Sequence, residues 1–512
     1  MAKVDQFREQ IAQTNDGTQP LEPWQRLSQV IFEAWLKDIC DKNPLIDVRF
    51  GQRVENVEED RDKVKTIVSH VDNGTTSVIV SDYVVGCDGA SSRVRQSLGL
   101  PLDGGPVPAF VLLVHFKSKD LSTLHKQGQF WHIFFLQQSG LFSGAIIAQD
   151  EVDTWTTHMF LPLDVDASQI DSHQAVYDVL GGSHGSYPIA IDEILVRSVW
   201  RPNIAVARKW AGNHGRVFIA GDAAHQLIPT GGYGMNTGIG DAYDLSWKLA
   251  AVINGYAGKA LLDSYEAERR PVALRNSEHS GVHMQAHEAA ATFLTGHDIN
   301  VVNSDVEEGK EVRAQIHEHY QKNDGENTDF GIEMGFRYQS PVIVPEPKGV
   351  VEPPWSASKY TPTTWPGGRP PHLFLKDGSP IFDHFHPTGW TLVTFADGES
   401  GAQHVVRAAL DLGVPLKHVD LRDEELARQL WERTLVLVRP DEHVAWRGDS
   451  VANLDQARDI LATVTGNKVS PGGGHPIVNG VPEKPDHAFT ATTELQTHID
   501  SFQLEKMADF QK

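Results

Sequence analysis

Residues 216–250, RVFIAGDAAHQLIPTGGYGMNTGIGDAYDLSWKLA, constrain the fold more than any other stretch of this chain. The short continuous apolar run at its start reads as a strand buried on both faces, and it ends in Gly221-Asp222. A buried strand that delivers an Asp at its carboxyl end is where open α/β sheets bind ligands, and Asp222 there can accept hydrogen bonds from sugar-alcohol hydroxyls. The loop that follows holds Gly231, Gly232 and Gly234, which let backbone approach a flat ligand closely. The next helix begins near Met235, and the unpaired N–H groups of a helix N-terminus stabilise negative charge. That helix continues with Ala242, Leu245, Leu249, Val252 and Ile253 at 3.6 spacing and stops at Gly255. An ordinary tight turn would be the better reading of a lone Gly-Asp.

The rest of the chain divides around this feature. Residues 22–40 read as a helix with Pro23 in its first turn and one buried stripe, Leu27, Val30, Ile31, Ala34 and Trp35. Arg26, Gln29 and Glu33 lie off that stripe and face either water or a ligand. TSVIV and DYVVGCDG read as strands, followed by a short helix over 91–98 capped by Ser91 or Ser92. From 109 to 161 come four β-rich runs, FVLLVHF, FWHIFFL, FSGAIIA and TWTTHMFL, that predict an antiparallel sheet forming a second domain. Phe130, Trp131, Phe134 and Phe135 within it are core or pocket wall with equal reason. A long helical region starts at LLDSYEAERR, and the proline-rich residues 340–370 read as an extended linker. Beyond the linker, strand and helix patterns follow the order βαβαββα, which is the thioredoxin-like arrangement. No C-x-x-C is present there, so the unit is expected to supply packing or dimer contacts rather than redox chemistry. The expected division is 1–107, 108–200, 201–339, the linker 340–370, 371–470 and a tail 471–512.

The 512 residues are 40% hydrophobic and 22% charged, an ordinary globular composition. A net charge of −23 argues against a nucleic-acid or anionic-membrane surface, since either needs basic residues to replace counterions, and favours a small-molecule role. No apolar run approaches the ~20 residues that cross a bilayer, and MAKVDQFREQIAQ is unlike a secretion signal. Cys40 and Cys87 are the only cysteines, which fits a reducing cytosol and predicts a cytoplasmic protein.

The 216–250 stretch resembles, nearly position for position, the second flavin motif of the FAD-dependent aromatic hydroxylases, the single-component flavoprotein monooxygenases. DYVVGCDGASSRVRQSLG looks like the Asp-Gly motif of that family, which serves both FAD and NAD(P)H. The resemblance implies an α/β and α+β architecture: a Rossmann-like FAD-binding domain, an inserted antiparallel substrate domain and a thioredoxin-like C-terminal domain. It places Asp222, after Gly221, on the FAD ribityl chain, and the loop from Pro229 through Gly231, Gly232, Gly234 and Met235 to Asn236 along the isoalloxazine. Asp88, Gly89 and Arg95 would lie near the pyrophosphates of FAD or incoming NADH or NADPH, and Gln29 matches a helix glutamine that contacts FAD. Ile228 stands where the family usually has a proline. GFRYQSPVIV, PGGRPPHLFLKDG and LVRPDEHVAWRG look like the phenol hydroxylase branch, whose members are commonly dimeric and act on phenols and polycyclic aromatic polyketides. The implied reaction uses NAD(P)H to reduce the flavin and O2 to deliver an electrophilic oxygen to an electron-rich ring. The protein then supplies orientation, exclusion of water and a base for the phenol, a group the motifs do not identify.

The family opens with a strand, G-x-G-x-x-G and a helix that holds the FAD pyrophosphate, and this chain enters the pattern only at the Gln29 helix. The N-terminal unit is therefore expected to be absent and the FAD-binding domain incomplete, either as an incomplete gene model or as a shortened protein that binds FAD poorly or gets its missing half from a partner. A non-catalytic binding or assembly role is the competing class. His279, His283 and His287 recur at i, i+4 and i+8, which is read as a solvated polar face, so no metal is expected.

Overall fold

The computed structural model describes residues 4–124, 130–136, 142–150, 152–396 and 400–468, and the 471–512 tail lies outside the described residues. Between 110 and 200 the four β-rich runs form strands Phe110–Lys117, His132–Leu136, Phe142–Ala148 and Thr154–Leu161, which join Glu193–Trp200 in one five-stranded antiparallel sheet. Their alternation puts Leu112, Val114, Phe116, Ile146 and Trp155 under the helix Ser172–Gly181, whose Ala175 and Val176 close that core.

The strand Val217–Ile219 is buried at all three positions and pairs in parallel with Val84–Gly86. The helices Tyr233–Ile253 and Lys259–Thr292 follow it, the second running 34 residues through Pro271. The buried face of the first differs from its apolar reading. Leu245 is buried, but Asp241, Asp244 and Lys248 are buried with it while Ile253 is exposed.

At the C-terminal end the observed order is Trp390–Thr394, Ala402–Leu412, Leu416–Asp420, Glu425–Trp431, Leu435–Val438, Val444–Gly448 and Leu454–Val464. The four strands make one mixed sheet, parallel between the first two and antiparallel across the others. Its core is continuous with the preceding helices, because Trp247 and Leu261 pack with Trp390, Val405 and Leu461, and the Trp247 and Trp390 rings meet edge to face at 5.8 Å. The proline-rich stretch lacks helix and strand, yet it buries Val342, Tyr360 and Thr364 and is a packed strap across this junction.

Two expectations near the N-terminus are corrected. The helix there is Gln29–Lys42, with Pro23 and Arg26 before it, and it buries none of its residues. Val30 is 67% exposed, Ile31 59% and Trp35 57%, so the stripe is amphipathic but faces outward among the described residues. Among the described residues the strand Val84–Gly86 likewise pairs on one edge only.

Candidate flavin and substrate site

The turn after Val217–Ile219 is held by buried charge. Asp241 accepts from the Gly221 N–H at 3.1 Å, lies 2.5 Å from His225 Nε2, and accepts from Arg269 Nε at 2.9 Å. Burial alone would raise the Asp241 pKa, but the bonds from His225 and Arg269 outweigh it and hold the carboxyl below its ordinary range. Arg269 also donates to the Thr237 carbonyl and the Tyr338 hydroxyl. The helix packs so close under this turn that a Cβ on Gly238 would sit 3.2 Å from the Gly221 Cα. Asp222, one residue on, keeps its carboxylate exposed.

The glycine loop needs its glycines at two positions, since Gly231 has φ +82° and Gly232 φ +67°. No side chain caps the helix Tyr233–Ile253, so its first N–H groups, those of Tyr233, Gly234 and Met235, have no side-chain cap. Three bonds fix the loop: Thr230 Oγ1 donates to the Ser280 carbonyl at 2.6 Å, the Gly232 N–H to the Pro229 carbonyl at 3.0 Å, and the Gly231 N–H to Glu326 at 2.8 Å.

Above the loop opens a cavity of about 1120 Å3 whose wall includes Trp131, Phe134, Ile147, Phe160 and Trp200 from the antiparallel sheet. Trp131 and Phe134 are thus pocket wall, whereas Phe130 and Phe135 pack on the sheet core. Burial holds His132 below its ordinary pKa and lowers His158 to about 4, so both offer neutral imidazoles to the cavity. Of the residues singled out in the sequence, Pro229, Gly231, Gly232 and Asn236 reach the cavity wall. Gln29, Asp88, Gly89, Arg95, Gly221, Asp222, Gly234 and Met235 do not line it.

Arg95 and Asp88 are engaged inside the protein. Asp88 accepts from Ser92 Oγ and from the Arg93 and Val94 N–H groups, which anchors the helix Arg93–Ser97. Arg95 is buried and donates to the carbonyls of Ala223 and Ala90 at 2.8 and 2.9 Å, while Gln226 donates to Ala90 at 3.0 Å. The two motifs are clasped to each other. Gln29 donates to Glu33 at 2.6 Å on the exposed helix. The histidine trio also departs from its solvated reading. His283 is 2% exposed and shares a hydrogen bond with the Tyr233 hydroxyl at 2.9 Å, and His287 meets Glu326 at 2.6 Å. Among the described residues, no group of three or more His, Cys, Asp or Glu side chains is arranged to hold a metal.

These features fit a flavin in part. The exposed Asp222, the open helix N-terminus and the glycine loop suit its ribityl chain and ring, and the cavity beyond suits a flat aromatic molecule. The helix after Asp88 offers no comparable cradle for a pyrophosphate, because it spans only five residues and its Arg93 and Val94 N–H groups are already taken by Asp88.

Comparison with known proteins decides the family. A model of the FAD binding domain matches residues 3–280, and one of the aromatic-ring hydroxylase C-terminal domain matches residues 363–467. The FAD-dependent monooxygenase apdD of Emericella nidulans is 48% identical over 90% of this chain and 75% of its own length. The chain belongs to the FAD-dependent aromatic-ring hydroxylases. A second FAD-dependent monooxygenase, opdD of Penicillium oxalicum, is 46% identical over 91% of the chain and 90% of its own. Among solved structures, the flavin-dependent monooxygenase PieE in complex with FAD and substrate superposes with a TM-score of 0.77 at 28% identity, covering 86% of this chain and 80% of that one. This hydroxylase also matches aklavinone-11 hydroxylase with FAD and aklavinone, at a TM-score of 0.69 and 26% identity over 89% and 81% of the two chains.

The sequence reading missed Asp241, His225, Arg269 and Glu326. A signal for the first was present, since Asp241 and Asp244 sit three apart on the same helix as Leu245, and acids sharing a buried face must be paired.

Proposed function

We infer that this monooxygenase uses NADH or NADPH and O2 to hydroxylate a phenolic or polycyclic aromatic molecule of the polyketide type. The observation that carries this reading is the cavity itself, floored by Pro229, Gly231 and Gly232 and walled by Trp131, Phe134, Phe160 and Trp200. FAD would supply the O2-activating chemistry, with Asp222 accepting from its ribityl hydroxyls and the uncapped N-terminus of Tyr233–Ile253 facing the negative edge of its reduced ring. The aromatic wall excludes water and orients a flat substrate, and neutral His132 and His158 offer hydrogen-bonding nitrogens to a phenolic hydroxyl without placing charge in the cavity. Relatives support the substrate class, including a putative polyketide hydroxylase of Streptomyces halstedii and 2,4-dichlorophenol 6-monooxygenase of Cupriavidus pinatubonensis, at 28% and 29% identity. We further place the enzyme in the cytoplasm as a homodimer. The test supplies the protein with FAD and measures NADH and NADPH oxidation and O2 uptake across a panel of phenols and polycyclic polyketides. Oxidation stimulated by an aromatic that gains one oxygen atom supports the reading. A flavin-loaded protein that no aromatic stimulates would sink it.

A further inference from the structure

The glycine loop is held from one side by a chain of hydrogen bonds whose other members, Glu326, His287 and Tyr320, lie outside the two motifs. Tyr320, on the helix Glu307–Lys322, lies 3.1 Å from His287 Nδ1. His287 Nε2 lies 2.6 Å from Glu326 Oε2, and Glu326 Oε1 accepts the Gly231 N–H at 2.8 Å. One assignment satisfies every atom: Tyr320 donates to Nδ1, His287 donates from Nε2, and both Glu326 oxygens accept. Burial pushes the Glu326 carboxyl up, but the bonds from His287 and the Gly231 N–H outweigh it and bring it down to about 2. An anion buried in the cavity wall is costly unless fully bonded, so the arrangement specifies one loop position.

We propose that Glu326 is a positioning residue that sets the glycine loop against the flavin ring through the Gly231 N–H, with His287 and Tyr320 as its support. This deepens the flavin reading of the loop and rests on it. Gly231 is the point where positional control is needed, because it sits at φ +82° and, lacking a Cβ, populates either sign of φ with similar ease, so its own backbone does not fix the flanking peptides. Thr230 is tied to the long helix by its own side chain and Gly232 by the local turn, so the Gly231 N–H is the remaining handle on this segment. A planar trans peptide carries its N–H and C=O on opposite sides, so aiming this N–H at Glu326 turns the Thr230 carbonyl the other way. His287 is braced in addition by the Phe134 ring, whose centroid is 4.4 Å from its own, and Phe134 belongs to the cavity wall.

The experiment compares Glu326→Met, which keeps volume and removes the acceptor, with Glu326→Gln, which keeps an acceptor for Gly231 and removes the charge. Amide hydrogen exchange over residues 228–236 is measured on the full chain without flavin, and riboflavin and FAD are titrated by fluorescence quenching. The visible circular dichroism of the bound flavin is recorded. We expect Glu326→Met to exchange this segment about tenfold faster and to weaken both flavins about tenfold with an altered dichroism, while Glu326→Gln stays within about threefold of the parent. Tyr320→Phe, the mildest variant, should show a smaller shift in the same direction and covers the case in which Glu326→Met does not fold. Unchanged exchange and dichroism in the folded variants would overturn the positioning role while leaving the flavin reading intact. A parent chain that binds neither riboflavin nor FAD would overturn the flavin reading and the positioning role with it.

Discussion

The turn at Gly221–Asp222 and the helix Gln29–Lys42 are both stretches the sequence singles out for the flavin, yet the protein packs them in opposite ways. Around the turn, Asp241, His225 and Arg269 are all buried and mutually bonded, and the helix beneath approaches to glycine distance. The helix Gln29–Lys42 buries nothing, and the Val84–Gly86 strand has one partnered edge. The turn is therefore held rigidly by the residues around it, while the helix Gln29–Lys42 is left open to solvent on the face its apolar stripe makes. The difference shows that two stretches patterned alike in sequence can differ in how completely the fold packs them.

The comparison is broken most violently at the turn. Asp241→Ala leaves Arg269 buried without its anion, and should cost about 3–5 kcal/mol of unfolding free energy by urea denaturation. A loss below that of a surface substitution would mean the network does not hold the turn. Next in size is Asp222→Ala, which removes an exposed acceptor and should weaken riboflavin binding by about 1.5–3 kcal/mol with the melting temperature unchanged. Unchanged affinity in a folded variant would remove Asp222 from the ribityl chain.

A smaller effect comes from pH. Burial holds His158 at about 4 in the folded chain, whereas the unfolded chain takes up its proton near 6.5. The unfolded state thus binds more protons between these values, and stability falls as the pH drops from 6.5 to 4. The difference in unfolding free energy between parent and His158→Phe should shift over that window by on the order of 1 kcal/mol, allowing for partial exposure to water. A difference independent of pH would mean His158 is not desolvated. The smallest effect belongs to the open side: Trp35→Ala should change stability by no more than about 0.5 kcal/mol, since a ring left in water by folding has little burial to lose. A loss of several kcal/mol would show that something covers this helix in solution.

Legibility in the sequence followed the same divide. The buried strand, the glycine loop, the four antiparallel runs and the βαβαββα order were readable because apolar periodicity and glycine placement report local geometry directly. The exposure of Val30, Ile31 and Trp35 was not, because a period of 3.6 states that a face is apolar and is silent on what lies against it. Buried polarity was hidden for a related reason. His283, His287 and Glu326 look like solvent-facing residues until the helices Lys259–Thr292 and Gly325–Thr328 are brought together, 39 residues apart in the chain for the His287–Glu326 pair. Arg439 is the same case at larger separation, reaching Asp244 at 3.0 Å and Glu268 at 2.8 Å from the C-terminal sheet.

On the proposed flavin reading, the Gly221–Asp222 turn and the glycine loop preorganise the ring and ribityl half of the site, and the helix Arg93–Ser97 offers the pyrophosphate no comparable cradle. Parallel calorimetric titrations of this chain with riboflavin and with FAD test it most directly. The account predicts that both bind and that their dissociation constants lie within about tenfold of each other, because the pyrophosphate and adenosine add few charge-assisted bonds. FAD binding about a thousandfold or more tighter than riboflavin would contradict it, since that gap needs several such bonds to the pyrophosphate and hence a second preorganised half.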